Sequence, residues 1–472
     1  MMKVFTMASL ALLSGCTAVS TDLDDVLPES SELAGEEFVH SQTPQVGDLI
    51  SARWWERFGD PVLNSLVEST LTGNLDLAQA AANVREADAR MRSASGGRGV
   101  SVDAGLSAGR SVSNSPAGGR NYTTPITPQL TIRWQADLFG RLRSIERARY
   151  AELLASEADR LAITNSLIAQ AARFRVRISL LEREAALADE VVLSRTRTLE
   201  IVEGRYERGV SSTSIVDVHL ARENLAAARA VLPAIQRDQE LTYLALDVLL
   251  GIKPGSGMSI ESLGSPLPNA EAPPTGIPAG LLDRRPDLLS ARMFVESAVA
   301  DADASVAALY PDLTLNGALG WTNDGVRDLF SAQTLFANLI GNLTAPLFSS
   351  GRLEADVDVA QARVDRVVAA YSASVLQAVR EVEDAIVTER GLLAELNERI
   401  QQRDEALLAE NLARDRYQRG LENLLTVLDT ERRRTGAEER VLQLQAAVWN
   451  ARIDLHLALG GDWYPKDSEN SL

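Results

Sequence analysis

Cysteine is all but absent from this chain: Cys16 is the only one in 472 residues. An intrachain disulfide is therefore excluded, and so is a cluster of metal-binding thiolates. Histidine is nearly as scarce. His40, His219 and His456 lie far apart in the sequence, and neither a Gly-rich phosphate loop nor a nucleophile elbow around a serine accompanies them. Nothing here points to an enzyme, a cofactor or a metal site. Beyond the N-terminus no stretch supplies the ~20 apolar residues that a transmembrane helix needs. A basic excess is also missing, since 47 Lys and Arg stand against 65 Asp and Glu for a formal net charge of −18. Binding to nucleic acid requires a basic stripe, so that partner is excluded.

What the chain has in abundance is Ala, Leu, Glu, Arg and Gln, with aromatics at only 5%, the composition of long helices and coiled coils. Its first residues, "MMKVFTMASLALLSGC", carry one positive charge at Lys3, then an apolar run, then Leu13-Ser14-Gly15-Cys16. That pattern is a secretory signal rather than a membrane span. It resembles a bacterial lipobox, in which Cys16 is lipidated and becomes the new N-terminus, and one set of acyl chains anchors without spanning. Thr17 follows the cysteine; in the enteric sorting rule an Asp there retains a lipoprotein at the inner membrane, so the outer membrane is favoured.

The chain also repeats itself. An offset of 211 residues carries Leu77 onto Leu288, Ala80 onto Ala291, Val84 onto Val295 and Gly140 onto Gly351, and sets "RYERG" (205–209) on "RYQRG" (416–420). The period is too long for a solenoid, so each half is a unit of several elements. Each half is expected to open with a helix (61–95 and 286–309), Pro sitting in the first turn where its missing N–H costs nothing. Two alternating strands follow (100–110 and 129–138; 312–322 and 335–345), then a helix of about 65 residues and a shorter helix returning. In the long helices Leu167, Ala171, Phe174, Ile178, Leu181, Ala185, Ala188 and Val192 fall at steps of four and three, and Leu353, Val357, Ala360, Val364, Val367, Tyr371 and Val375 do much the same. That narrow stripe is a coiled-coil seam, and at ~1.5 Å per residue such a helix reaches about 100 Å.

Each strand has about the ten residues of a tilted transmembrane β-strand. Val100, Val102, Ala104, Leu106 and Ala108 on one strand, and Leu313, Leu315, Gly317, Leu319 and Trp321 on another, leave one face apolar and the other small or polar. Any single strand also fits a soluble sheet packed on helices; four of them behind a lipobox fit an outer-membrane barrel better. Four strands cannot close, and bilayers do not tolerate open edges. Two copies would give eight strands with little lumen, and three would give twelve with a pore. The fold expected is therefore an α+β membrane protein in which a trimeric 12-stranded β-barrel, four strands per chain, continues into an α-helical barrel. Phe139 and Gly140, and Phe348 and Gly351, mark the strand–helix junctions. By region, 1–15 is the signal peptide, 16–60 a lipidated extended segment, 61–250 and 286–460 the two repeats, 251–285 an equatorial linker and 461–472 a C-terminal tail.

The stretches "WWERFGDPVLNSLVESTLTGNLDLAQA", "IRWQADLFGRLRS", "LLDRRPDLLSAR", "APLFSSGRLEADVDVAQARV", "EVEDAI" and "RYQRGLENLLTVLDTERRR" closely resemble the outer-membrane efflux factor family, the trimeric channels exemplified by the enteric tunnel protein and the lipoprotein branch of multidrug efflux systems. Departures are Phe174 where Tyr is common, and Val100 without the proline usual before the first strand. The resemblance implies a passive conduit, a homotrimer docked through its helical tips onto a periplasmic adaptor and an inner-membrane pump, and gated at those tips. Asp429 matches the ring aspartate of the lipoprotein branch and Arg432 its partner. Thr426 replaces a second ring aspartate of the tunnel protein. Tyr417 matches a tyrosine linked to an aspartate of the first tip, for which Asp217 is the nearest candidate, although about two extra residues separate it from Gly209. Gly209 with Val210 and Gly420 with Leu421 match the turns that meet the adaptor.

Independently of the family, three carboxylates converging on an axis repel one another and attract cations, and some should titrate above the ordinary range. Arg432, Arg433 and Arg434 also read as a solvated face. Two other functions stay open at this point. A non-conducting coiled-coil spacer lipoprotein would not need the strands, whereas a type I secretion or metal-efflux duct would keep the pore. Six Met and three His give no hint of metal ferrying, and the lipobox with "LLDRRPDL" leans toward tripartite drug efflux.

Overall fold

The structure is a computed structural model, and it describes residues 20–23, 25–28, 34–35, 38–40, 53–114, 119–256, 280, 284–326 and 329–461. Cys16, the signal peptide, most of the 251–285 linker and all but Gly461 of the C-terminal tail lie outside the described residues. After a 3-10 turn at Trp54–Phe58 the order is α1 (Pro61–Gly73), α2 (Leu75–Gly96), β1 (Ser101–Ala108), β2 (Ser111–Asn114), β3 (Arg120–Thr123), β4 (Pro125–Ala136), α3 (Arg141–Glu207) and α4 (Ile215–Leu249). Then come α5 (Pro286–Ala307), β5 (Asp312–Trp321), β6 (Asn323–Asp324), β7 (Leu335–Thr344), α6 (Arg352–Gln418) and α7 (Leu424–Ala458). Helices α2 and α5 have 22 residues each, α3 and α6 have 67, and α4 and α7 have 35. Among the described residues no helix is long and apolar enough to cross a membrane.

One compact unit comprises residues 1–29, 82–158 and 289–374. Its antiparallel sheet has the order β1-β4-β5-β7, with β6 beside β4. Register decides what the alternation can do. Val102 faces Ile132, Leu130 faces Leu319, Trp134 faces Leu315 and Gly317 faces Leu339, so the alternating apolar residues of β1, β4 and β5 share one face with Leu335, Leu339 and Leu343 of β7, while Phe336 and Ile340 of β7 fall on the other. Thr131, Arg133, Thr314, Asn316 and Asn342 share the other. A one-residue slip of any strand would break this sorting. The apolar face is bare: Leu106, Leu339 and Leu343 are 70%, 75% and 66% exposed. Among the described residues nothing pairs with the outer edges of β1 and β7. A β2–β3 hairpin beyond β1 was not anticipated, because its residues are polar and lack an apolar alternation.

The other unit comprises 30–81, 159–288 and 375–472. Its core joins Trp54, Phe58, Leu63, Leu66, Ile168, Ile178, Leu246, Trp449 and Ile453. Phe58 packs on Trp449 at 4.6 Å, and Trp54 stacks on His456 at 5.1 Å. Asp60 caps α1 by accepting from the N–H groups of Val62 and Leu63, and its other oxygen pairs with the buried Arg175 at 2.8 Å.

The single helix expected over 61–95 is two. Asn74 leaves the helix at φ −67°, ψ 132°, accepts from Asp76 N and Leu77 N at 2.8 and 3.1 Å, and donates to Leu249 O at 2.8 Å. One amide thus starts α2 and ties it to α4. Beside it the backbones of Gly73 and Gly251 touch: Gly251 has φ +70°, and a Cβ there would lie 2.0 Å from Gly73 O. Gly251→Ala should therefore lose about 1–3 kcal/mol by thermal unfolding. Gly209→Ala, with φ +67° but nothing within 4 Å, should lose less, because it meets backbone strain without a clash.

Candidate functional site: the paired helical turns

The turns joining α3 to α4 and α6 to α7 share one construction. Gly209 and Gly420 adopt φ +67° and +76°, the left-handed backbone that ends a helix cheaply only with glycine. Gly209 N donates to Tyr206 O and Val210 N to Arg205 O; Gly420 N donates to Tyr417 O and Leu421 N to Arg416 O. Val210 is half-buried and Leu421 is exposed. Ser214 then opens α4, and Asn423 opens α7 by accepting from Thr426 N at 2.9 Å. The first turn is longer by two residues between glycine and cap, and those residues have a use. Arg205 donates to Ser212 Oγ at 3.1 Å and Thr213 Oγ1 at 3.2 Å, and to the carbonyl of Tyr417 at 2.8 Å, while its guanidinium lies 4.7 Å over the Tyr417 ring. A cation of α3 thus caps the end of α6 and clips the two turns together.

Within the chain Tyr417 and Asp217 have separate partners. Tyr417 is buried, its hydroxyl meets Thr213, and burial pushes its pKa up. The Asp217 carboxylate completes a capping box, accepting from Ser214 N at 2.7 Å and Ser214 Oγ at 2.9 Å. Thr426 Oγ1 donates to Glu422 Oε1 at 3.1 Å. Asp429, one turn further on, accepts from Arg432 at 2.7 Å and Arg433 at 2.6 Å. Those two guanidiniums, Arg432 first, hold its carboxyl below the usual range. Within the chain the bias on Asp429 is thus downward, opposite to the upward shift expected of converging carboxylates.

Arg432 and Arg433 are solvated as expected, but Arg434 is 5% exposed. It pairs with Glu190 of α3 at 2.5 Å and Glu438 at 2.8 Å, and lies 3.7 Å from Glu410 of α6. Glu431, also buried, accepts from Thr198 of α3 at 2.6 Å, Arg414 of α6 at 3.2 Å and Asn224 of α4 at 3.4 Å. Arg414 also pairs with Glu410 and donates to Ser194 at 2.6 Å. One ionic network therefore joins all four helices behind the turns. Burial pushes Glu410 above the usual carboxylate range against the pull of Arg414 and Arg434. The signal for this network was present and unread. Leu424, Val427, Glu431, Arg434, Ala437 and Val441 form one buried, helix-spaced face, and two charges stand where apolar residues belong.

The strand–helix junctions differ from each other. At the first, Gly140 has φ +80°, Asp137 accepts from Leu142 N and Arg143 N at 3.1 and 2.8 Å, and Phe139 stacks on Tyr310 at 4.8 Å. At the second, Gly351 has φ +78°, but Phe348 is bare. Among the described residues no group of His, Cys, Asp and Glu is placed to hold a metal ion.

A family profile described as "Outer membrane efflux protein" matches residues 66–252 and 277–461. The pyoverdine export outer membrane protein OpmQ of Pseudomonas aeruginosa is 29% identical over 471 residues, covering 97% of this chain and 98% of that protein. The toluene efflux pump outer membrane protein TtgF of Pseudomonas putida is 31% identical over 420 residues, with 87% and 85% covered. The solved outer-membrane channel OprN superposes with a TM-score of 0.87 at 27% identity, over 96% of this chain and 100% of that one. With both halves matched by the profile, and with relatives aligned through sheet, long helices and turns alike, the chain belongs to the outer membrane efflux protein family.

Proposed function

We propose that three copies of this chain form a passive exit duct in the outer membrane, serving an inner-membrane pump through a periplasmic adaptor. The observation that carries this reading is the sheet of β1, β4, β5 and β7, apolar on one face and mainly polar on the other, with two edges unpaired among the described residues and direct connections into 67-residue helices. Lipid satisfies the bare apolar face, and no bilayer accepts the open edges. Pairing the β7 edge of one copy with the β1 edge of the next gives twelve strands in a trimer and leaves a lumen lined by Thr, Asn, Gln and Arg. Helices of about 100 Å suit a periplasmic conduit. Acylation of Cys16 adds an anchor. The cargo is a small molecule or drug, as relatives named for pyoverdine and toluene export suggest.

The paired turns are the gate in this reading, with Asp429 of each copy facing the axis and Arg432 its partner. Carboxylates converging there favour cations and narrow the path. Single-channel conductance in planar bilayers tests it. Wild type should show a small, cation-preferring conductance, and Asp429→Ala should raise it severalfold while weakening the preference. Equal conductance in both would move the gate elsewhere. A folded, reconstituted pair that never conducts would sink the duct and favour a spacer lipoprotein.

A further inference from the structure

The N-terminal segment has a built dock. Asp303, on α5, is 2% exposed, and its carboxylate is satisfied chiefly from outside the helices: Oδ2 accepts from Thr21 N at 3.0 Å and Oδ1 from Thr21 Oγ1 at 2.7 Å. Arg147, on α3, completes the clamp. It donates to Thr21 O at 3.0 Å, Ser20 Oγ at 3.2 Å and Asp303 Oδ2 at 3.3 Å, and is itself fixed by Glu296 of α5 at 2.5 Å. Both polar groups of the Thr21 backbone and its hydroxyl are thus read by two charges. A buried carboxylate is costly unless hydrogen-bonded, so without Thr21 the site would keep a charge with one long partner.

The position of the clamp gives it a purpose. Arg147 lies six residues after α3 opens at Arg141, about 9 Å along the helix, and Asp303 is nine residues before β5 begins at Asp312. Ser20 is four residues from Cys16, a reach of at most about 14 Å. We propose that Arg147, Glu296 and Asp303 form the docking site for the chain's own acylated N-terminal segment, which holds the lipid anchor at the level where strands meet helices and keeps the inserted trimer in place. This rests on the reading of Cys16 as acylated and of the sheet as membrane-embedded.

The full-length chain in its membrane tests this with three variants. Thr21→Pro deletes the N–H and hydroxyl without touching the helices, and Arg147→Met removes the guanidinium. Inserting twelve Gly and Ser residues between Ala18 and Val19 keeps the dock and lengthens the leash by about 40 Å. No Lys or Arg lies between Thr17 and Ala52, so an endoprotease specific for acidic residues reads the segment. Losing charge-assisted hydrogen bonds shifts docking by about tenfold or more, and cleavage should quicken by that factor in the two substitutions and not in the insertion. Heat-modifiable trimer should fall in all three while radiolabelled palmitate incorporation stays normal. Normal labelling with wild-type cleavage in both substitutions would overturn the dock, and wild-type trimer in the insertion chain would overturn its role in placing the anchor. A wild type that takes up no palmitate would instead overturn the acylation reading and the anchor with it, while the cleavage comparison still decides the dock.

Discussion

Glu431→Ala is expected to loosen the four helices behind the turns by about 3–5 kcal/mol, the range for breaking a buried ionic contact from one side. Glu431 is 3% exposed and accepts from Thr198, Asn224 and Arg414. Its removal strands the buried Thr198 hydroxyl, takes a partner from the half-buried Asn224 amide, and leaves Arg414 with Ser194 and with Glu410, whose own charge burial already disfavours. Glu431→Gln keeps the shape and part of the bonding, and should lose about half as much. The check is amide hydrogen exchange over 195–208 and 410–436, together with the thermal midpoint. Asp429→Ala is the contrast: its partners are surface arginines, so stability should barely change while conductance rises. Unchanged protection in Glu431→Ala would show that the network does not hold the turns closed.

Acidification should also destabilise the protein through His456. Burial, with a smaller contribution from the Arg57 charge, lowers its pKa to about 4 from an ordinary 6.5. A histidine whose folded pKa is depressed binds protons more readily when unfolded, so its contribution is fully present above pH 6.5 and is lost as pH falls toward 4. The loss amounts to about 3 kcal/mol at the low end. The ring stacks on Trp54 and touches Phe58, where an imidazolium would be desolvated and repelled by the Arg57 cation. Thermal midpoints of wild type and His456→Phe between pH 7 and 4.5 test this. Phe keeps a ring against Trp54 and cannot titrate, so its profile should fall less steeply. The comparison matters because Glu184, Glu410 and Glu439, pushed up by burial, act in the opposite direction in both proteins. Parallel profiles would refute the assignment.

Much of this molecule is local information. Alternation at every second residue located β1, β5 and β7 to within two residues, and steps of four and three marked α3 and α6, because both patterns arise from side-chain direction within one element. Glycines 140, 209, 351 and 420 were readable for the same reason: a left-handed residue is a property of its own φ.

What the tertiary structure decided is who meets whom. Sequence gave Arg432, Arg433 and Arg434 one description, yet the turn of α7 leaves two in solvent and drives the third against Glu190 and Glu410. Asn74 looked like any polar helix residue until Leu249 O, 175 positions away, took its amide. Thr21 had no legible role before Asp303 met it. Arg205 and Arg416 occupy equivalent places in their halves, yet Arg205 gains the hydroxyls of Ser212 and Thr213 from the longer first turn and reaches Tyr417 across it, while Arg416 lies 3.7 Å from Glu422 of its own turn. Periodicity records which face of an element is apolar. The charge or hydroxyl that neutralises a buried polar group comes from elsewhere in the chain, and only packing brings it within hydrogen-bond range.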